Sequence, residues 1–173
     1  NGAMTIGAGR SVTWTAFNKV ATATKGTTTV TWDYDPEHQR SKQVTTTGST
    51  TNTTWYYDDA GSGVSFERAV GPSLTTWSDY LFAGGQRVGV HIARSDATTN
   101  TRYFVKDHLG SIAVIVNEAG VVAERLAYDA WGKRRNPNGT DDTANILTTS
   151  ATTRGFTDHE MIDELDLVNM NGR

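Results

Sequence analysis

The 173-residue chain contains no cysteine. That single absence removes disulfides, thiolate nucleophiles and cysteine-ligated zinc, and it leaves the redox compartment undetermined. No apolar run approaches the length needed to span a bilayer as a helix, and the first residues lack the charged-then-apolar order of a signal segment. Export by some other route stays compatible with this. Basic residues are scarce and scattered: 16 Lys and Arg against 19 Asp and Glu give a formal charge of -3. Without a basic patch there is no electrostatic footprint for nucleic acid. Apolar residues make up only 36% of the chain, and the mean hydropathy is -0.48. Such a chain builds a thin sheet more readily than a thick two-layer core, and it is expected to be a piece of something larger.

Threonine is abundant, with 28 residues. Its β-branched, polar side chain suits a strand face open to water. Helical periodicity is nearly absent before residue 156, whereas alternation of apolar and polar residues is frequent. Val12, Trp14 and Ala16 share one face of an expected strand, Val30, Trp32 and Tyr34 another, and Val88, Val90 and Ile92 a third. Tyr34, Tyr57, Tyr80 and Tyr103 stand 23 residues apart, and Tyr128 follows after 25. Turn signals at Gly48, Gly71-Pro72, 96–100 and 117–120 fall about midway between these aromatics. Each unit therefore reads as one hairpin. A hairpin cannot bury its apolar face alone, so neighbouring units must stack edge to edge, with spaced aromatics packing across strands.

The stretch from Tyr103 to Arg135 contains the plainest hairpin. Ile112 to Val116 leads into Asn117-Glu118-Ala119-Gly120, and Val121 to Tyr128 returns. It is flanked by Asp107-His108-Leu109-Gly110-Ser111 and by Tyr128-Asp129-Ala130-Trp131-Gly132-Lys133. Residues 136–153 break the pattern with a polar, Thr-rich run that reads as a long surface loop. Beyond it, Thr157 or Asp158 followed by acids predicts one or two helical turns through about Glu164, and then a strand from Leu165 to Met170.

These phrases carry a resemblance. The Tyr-Asp units Tyr34-Asp35, Tyr57-Asp58 and Tyr128-Asp129, with Tyr80 and Tyr103 between them, the Asp107 to Ser111 phrase, and Tyr128-Asp129 leading to Gly132-Lys133 are similar to the RHS or YD-repeat proteins. The ending, Gly155-Phe156-Thr157-Asp158-His159-Glu160 through Asn171-Gly172-Arg173, resembles the C-terminal end of their conserved shell. The resemblance covers nearly the whole chain. It implies an all-β fold of stacked antiparallel hairpins forming part of a spiralling β-sheet shell, with a short helical turn near the C-terminus. It divides the chain into hairpin repeats over 1–135, a variable loop over 136–153 and a conserved terminal segment over 154–173. The family often has Gly at Asp158 and near Asp166, where a left-handed backbone would cost Asp more than Gly.

The implied role is structural. In the family the shell encloses a C-terminal toxin, in polymorphic toxins, insecticidal complexes and type VI secretion effectors. The expected partners are the remaining repeats, the toxin domain and a secretion machine, and the expected location is secreted or at the cell surface. Related shells stand on animal cell surfaces. In the family the aspartates that cleave the chain lie beyond the position of Arg173, so no residue here inherits that activity and no enzyme is expected. Exposed sheet edges in a slice of such a shell predict self-association.

Other chemistry has to be weighed against this. A surface module binding carbohydrate or protein is the alternative, with Trp14, Trp55 and Trp77 as a stacking platform. Asp163, Glu164 or Asp166 could line the chamber of an autoprotease. Asp107, His108 and Ser111 have the residue types of a triad, but strand neighbours point to opposite faces, so Asp107 and His108 are better read as backbone fasteners. His159-Glu160-Met161-Ile162-Asp163 resembles a zinc helix with Asp in the second ligand position. It places no third ligand, so no metal or cofactor is expected. Lys133-Arg134-Arg135 reads as a solvated turn, and the sequons at Asn52 and Asn138 as chance matches.

Overall fold

The computed structural model describes residues 4–58, 64–144 and 146–170, and the account below concerns these. Strands β1 (Ile6–Gly7), β2 (Arg10–Trp14), β3 (Val20–Lys25), β4 (Thr28–Tyr34), β5 (Arg40–Thr47) and β6 (Thr50–Asp58) come first. They are followed by β7 (Val64–Val70), β8 (Thr75–Ala83), β9 (Gln86–Arg94), β10 (Thr99–Lys106), β11 (Ile112–Asn117) and β12 (Val122–Arg125). These twelve strands form one antiparallel sheet in chain order. Two small hairpins follow, β13 (Ala127–Tyr128) with β14 (Arg134–Arg135), and β15 (Glu160–Ile162) with β16 (Leu167–Asn169). The all-β class and the stacking of sequential hairpins agree with the expectation from sequence. Contacts divide the chain into two compact units, Asn1–Ser78 with Ala93–Thr98, and Asp79–Ile92 with Thr99–Gly172.

In the first unit the pleat sorts the sequence into two faces. Val12, Ala23, Val30 and Thr45 are cross-strand partners on β2 to β5, and all four are buried. On the other face Thr13, Thr22, Thr31, Val44 and Thr53 form a row across β2 to β6. Ser11, Thr24, Thr29, Thr46 and Thr51 form a second row beside it. Hydroxyls join across strands at Thr13 and Thr22 (2.7 Å), Thr24 and Thr29 (3.2 Å), and Thr46 and Thr51 (3.2 Å). Cross-strand Thr pairs each stabilise a sheet by roughly 0.2–1 kcal/mol, so this face needs no apolar cover. The large number of threonines is thus accounted for by the polar face.

In the second unit the core is apolar. Tyr80, Val90, Ile92, Phe104, Ile112, Ile115 and Ala151 are buried together, with Leu126 packed against them. Ala151 belongs to the Thr-rich segment, and Thr152 beside it is buried too, its Oγ1 hydrogen-bonded to the Tyr80 hydroxyl at 3.1 Å. The end of that segment is therefore part of the packing and not a bare surface loop.

The 23-residue spacing does not follow the buried ladder. Tyr57 and Tyr103 are exposed at 49% and 43%, and it is Tyr56, Tyr80 and Phe104 that are buried. The inward positions recur after 24 residues, an even number that keeps side chains on one face when the loops match. The C-terminal secondary structure also differs from expectation. Instead of a helix through Glu164 there is a 3-10 turn at Phe156–Asp158, strand β15, and a second 3-10 turn at Asp163–Leu165. Thr157 and Asp158 have φ of 47° and 61°, which no right-handed helix accommodates. No side chain caps the first turn.

Ile115 is wholly buried at the centre of the second core. Ile115→Ala is expected to lower stability by about 2–5 kcal/mol in urea unfolding followed by circular dichroism. Thr22→Ala, on the polar face, is expected to lower it by less than about 1 kcal/mol in the same measurement.

Candidate functional site

One turn recurs along the chain. At Thr15–Lys19, Asp35–Gln39, Arg94–Thr98, Asp107–Ser111, Asn117–Val121, Asp129–Lys133, Asn136–Thr140 and Gly155–His159, the first N–H donates to the fifth carbonyl. In each, the fourth N–H donates to the first carbonyl. The fourth residue always has a positive φ, from 59° at His38 to 90° at Gly139. Side chains complete several of them. Asp35 Oδ1 accepts from Gln39 N, Asp107 Oδ1 from Leu109 N and Ser111 N, and Asp129 Oδ1 from Trp131 N and Lys133 N. This is the role of the Asp in a Tyr-Asp unit: a short carboxylate that bonds its own turn. The Tyr has a matching role, because Tyr34 Oη donates to Val20 O (2.7 Å) and Tyr128 Oη to Ile112 O (3.0 Å). The Asp58 side chain lies outside the described residues, as do Asn171–Arg173.

Asp107 thus fastens its own turn, but His108 does not. It is exposed at the tip of its turn, and its side chain makes no hydrogen bond among the described residues. The reason is geometric: Asp107 already closes the turn, so the next side chain points out to solvent. Leu109 is exposed there as well, at 56%. Ser111 is 1% exposed, and its Oγ accepts from Thr157 N at 3.1 Å. A buried hydroxyl holding a backbone amide, an exposed imidazole and a carboxylate bound to its turn do not form a triad.

Around Ser111 the phrases at 107–111, 128–133 and 155–160 meet. Ile112 N donates to Gly155 O at 3.1 Å. A Cβ on Gly155 would stand 2.8 Å from Met161 Cγ and 2.9 Å from Tyr128 Oη. Gly132, at φ 86°, leaves room for Phe156, whose Cδ1 a Cβ would approach to 2.7 Å. The rings of Tyr128 and Phe156 are 5.9 Å apart. Burial pushes the Tyr128 hydroxyl up to about 12, so it stays a hydrogen-bond donor at any physiological pH.

Buried charge surrounds this join. Asp158 Oδ2 receives Arg87 Nη1 at 2.7 Å and Lys106 Nζ at 3.3 Å. Arg87 also lies over the Tyr80 ring at 4.6 Å. Arg134 Nε donates to Asp163 Oδ1 at 2.9 Å, and Arg134 is only 5% exposed. Reading 133–135 as a solvated turn was therefore wrong for Arg134, because β14 aims that side chain at the terminal segment. Burial raises the Asp163 carboxyl above its ordinary value, and the opposing pull of Arg134 is smaller. Asp158 and Asp166 both adopt the left-handed backbone that favours Gly, with φ of 61° and 47°.

His159 Nδ1 and Thr157 Oγ1 are hydrogen-bonded at 2.8 Å, and Glu160 to Ile162 is a strand. His159 and Asp163 therefore do not share a helical face, which the zinc-helix pattern requires. Trp14, Trp55 and Trp77 are each half-buried, Trp14 donating to Met4 O and Trp55 lying beneath Arg68. The fully displayed ring is Trp131, 90% exposed, which sequence reasoning did not single out.

The geometry defines a sheet of sequential hairpins whose C-terminal segment is fastened to its last strands. No family model matches the chain, and no curated protein matches it. Among solved structures, the crystal structure of TcdB2-TccC3-TEV is similar with a TM-score of 0.67 at 11% identity, over 88% of this chain and 8% of that one. TcdB2-TccC3 is similar with a TM-score of 0.66 at 12% identity, over 93% and 8%. A Tc holotoxin pore from Photorhabdus luminescens gives 0.65 at 12%, over 90% and 8%. At such identity the likeness concerns the fold, and the chain spans only about 8% of the length of those chains.

Two measurements check the fastening. Asp158→Asn, which keeps a residue tolerant of the left-handed backbone, removes the charge that Arg87 and Lys106 face and is expected to cost roughly 1–3 kcal/mol in urea unfolding. Combining it with Arg87→Met is expected to cost less than the sum of the two. The Asp163 carboxyl, followed by carbon NMR, is expected to titrate above 3.8, and higher still in Arg134→Met. A raised folded value means that this group favours folding below the unfolded value. Its contribution declines as pH rises through the folded one.

Proposed function

We propose that this chain is a section of the wall of an RHS-type β-sheet shell that encloses a C-terminal toxin domain and takes part in its delivery or release. The observation that carries this reading is the fold shared with TcdB2-TccC3 chains over 88–93% of the sequence. Two local features support it. The Thr rows give the sheet a face that water can wet without loss, as the wall of a container requires. The segment after Arg154 is tied to the sheet, with Gly155 O accepting from Ile112 N on β11 and Thr157 N donating to Ser111 Oγ just before that strand.

In this reading the partners are the neighbouring repeats, the enclosed domain and a secretion machine, and the protein acts outside the cell that makes it. The chain itself is architectural and not catalytic: Asp107 and Asp129 hold turns, and Asp158 and Asp163 hold buried cations.

The test is electron microscopy and limited proteolysis of the full product of the gene that encodes this segment. A hollow particle that shields an internal polypeptide from protease until the wall is denatured is the expected result. A filled or open assembly whose every domain is digested at once would refute the reading.

A further inference from the structure

We propose that the Ile146–Leu147 bond is a cleavage site for an endoprotease with an aliphatic specificity pocket, and that the ammonium left on Leu147 is held by the Asp142 carboxylate. Ile146 is 73% exposed, in a stretch, 146–149, that belongs to no strand or helix. Among the described residues, none of its backbone groups is bonded to another backbone group. A protease takes its substrate as an extended strand, so a stretch without a ladder of its own is one that it can draw in. No residue from Thr143 to Thr153 is charged. Pockets built for Lys, Arg or an acid therefore find nothing here, whereas Ile146 suits an apolar one. Both flanks are anchored. Arg135 and Asp141 form a β-bridge and Lys133 Nζ donates to Asp142 O at 3.1 Å on one side, while on the other Ser150 Oγ donates to Glu124 Oε1 at 2.7 Å and Ala151 enters the core.

Hydrolysis breaks the bond between the Ile146 carbonyl carbon and the Leu147 nitrogen. Water supplies a hydroxyl to the carbon and a proton to the nitrogen, and the proton that the new carboxyl gives up converts the amine to an ammonium. Asp142 is placed to receive it. That residue is 7% exposed, and its Oδ2 already accepts from Leu147 N at 2.8 Å. Its carboxylate makes no ion pair among the described residues. The nitrogen that cleavage charges therefore stands against a buried anion, where a charge-assisted hydrogen bond is strongest. Leu147 and Asp142 share the wall of a cavity with Lys133, Arg134, Asp163 and Asp166, so three carboxylates face two cations and the new ammonium evens the count. The inference stands apart from the proposed function, since every group it uses lies in the unit formed by Asp79–Ile92 and Thr99–Gly172.

Limited digestion of the folded 173-residue chain with elastase tests it, with mass spectrometry identifying the fragments. The expected products end at Ile146 and begin at Leu147, elute together in gel filtration at the volume of the uncut chain, and separate in urea. The Leu147 amine of the cut protein is then acylated near its ordinary pKa of about 8. It is expected to react at least about tenfold more slowly in the folded protein than in urea, because a paired ammonium keeps its proton. Asp142→Asn is expected to restore the fast reaction, with circular dichroism verifying the fold. An Ile146–Leu147 bond that stays intact in the folded chain, fragments that separate without denaturant, or a Leu147 amine that reacts as fast folded as in urea would overturn the proposal. So would slow acylation that persists in a folded Asp142→Asn protein, since the carboxylate would then hold nothing.

Discussion

Register in a sheet of this kind is held at the turns. Because side chains alternate, a slip of one residue would expose Val12, Ala23 and Val30 and turn the threonine rows inward. The five-residue turn resists that slip by closing two backbone bonds and, where Asp, Asn or Thr comes first, adding a side-chain bond. The requirement for a left-handed fourth residue is met by Gly in some copies and by Asn18, His38, Ala97 or Asp158 in others. Those residues accept backbone strain to keep the register, since a slipped strand would lose a whole buried row.

The hairpin stack was legible because alternation and turn residues are local signals. Asn117 to Gly120 reads as a turn in the sequence, and its bonds are those of a turn in the structure. The aromatic period was harder, since Tyr56 and Tyr57 stand side by side and only the pleat decides which one is inside. Choosing the residue before Asp58 gave a constant 23, whereas the buried positions Tyr56, Tyr80 and Phe104 are 24 apart. The terminal helix failed for a different reason. Thr157, Asp158 and the acids after them are good helix starters by local chemistry, but Ser111 Oγ takes the Thr157 amide and Arg87 and Lys106 take Asp158. Partners that lie about 46 to 71 residues away in sequence override the local preference.

Buried cations were the least legible feature. Arg87 and Arg134 look like surface residues in their own segments, and the carboxylates they meet stand far along the chain. Such pairs add little net stability compared with an apolar core, because desolvation offsets most of the attraction. What they supply here is selectivity of docking: the segment after Arg154 can sit only where Asp158 meets Arg87 and Lys106 and where Asp163 meets Arg134. An apolar segment could slide along an apolar groove, but these pairs fix one seat.

That selectivity bears on why the sheet ends as it does. The twelve strands run in order to Arg125, and an edge strand that followed with the same pattern would simply add a thirteenth. Instead Leu126 interrupts the strand and packs on the core, and Tyr128 turns its hydroxyl back to Ile112 O. Gly132 and Gly155 leave the space that Phe156, Met161 and Tyr128 occupy. Each of these details redirects the chain from extending the sheet to lying against it. An unprotected edge invites indiscriminate pairing. A segment bonded through Ser111, Ile112 and Glu124 to the last strands makes their surroundings specific instead. Ser111 and Asp163, which had the residue types of a triad and of a zinc helix in the sequence, take part in this change of direction.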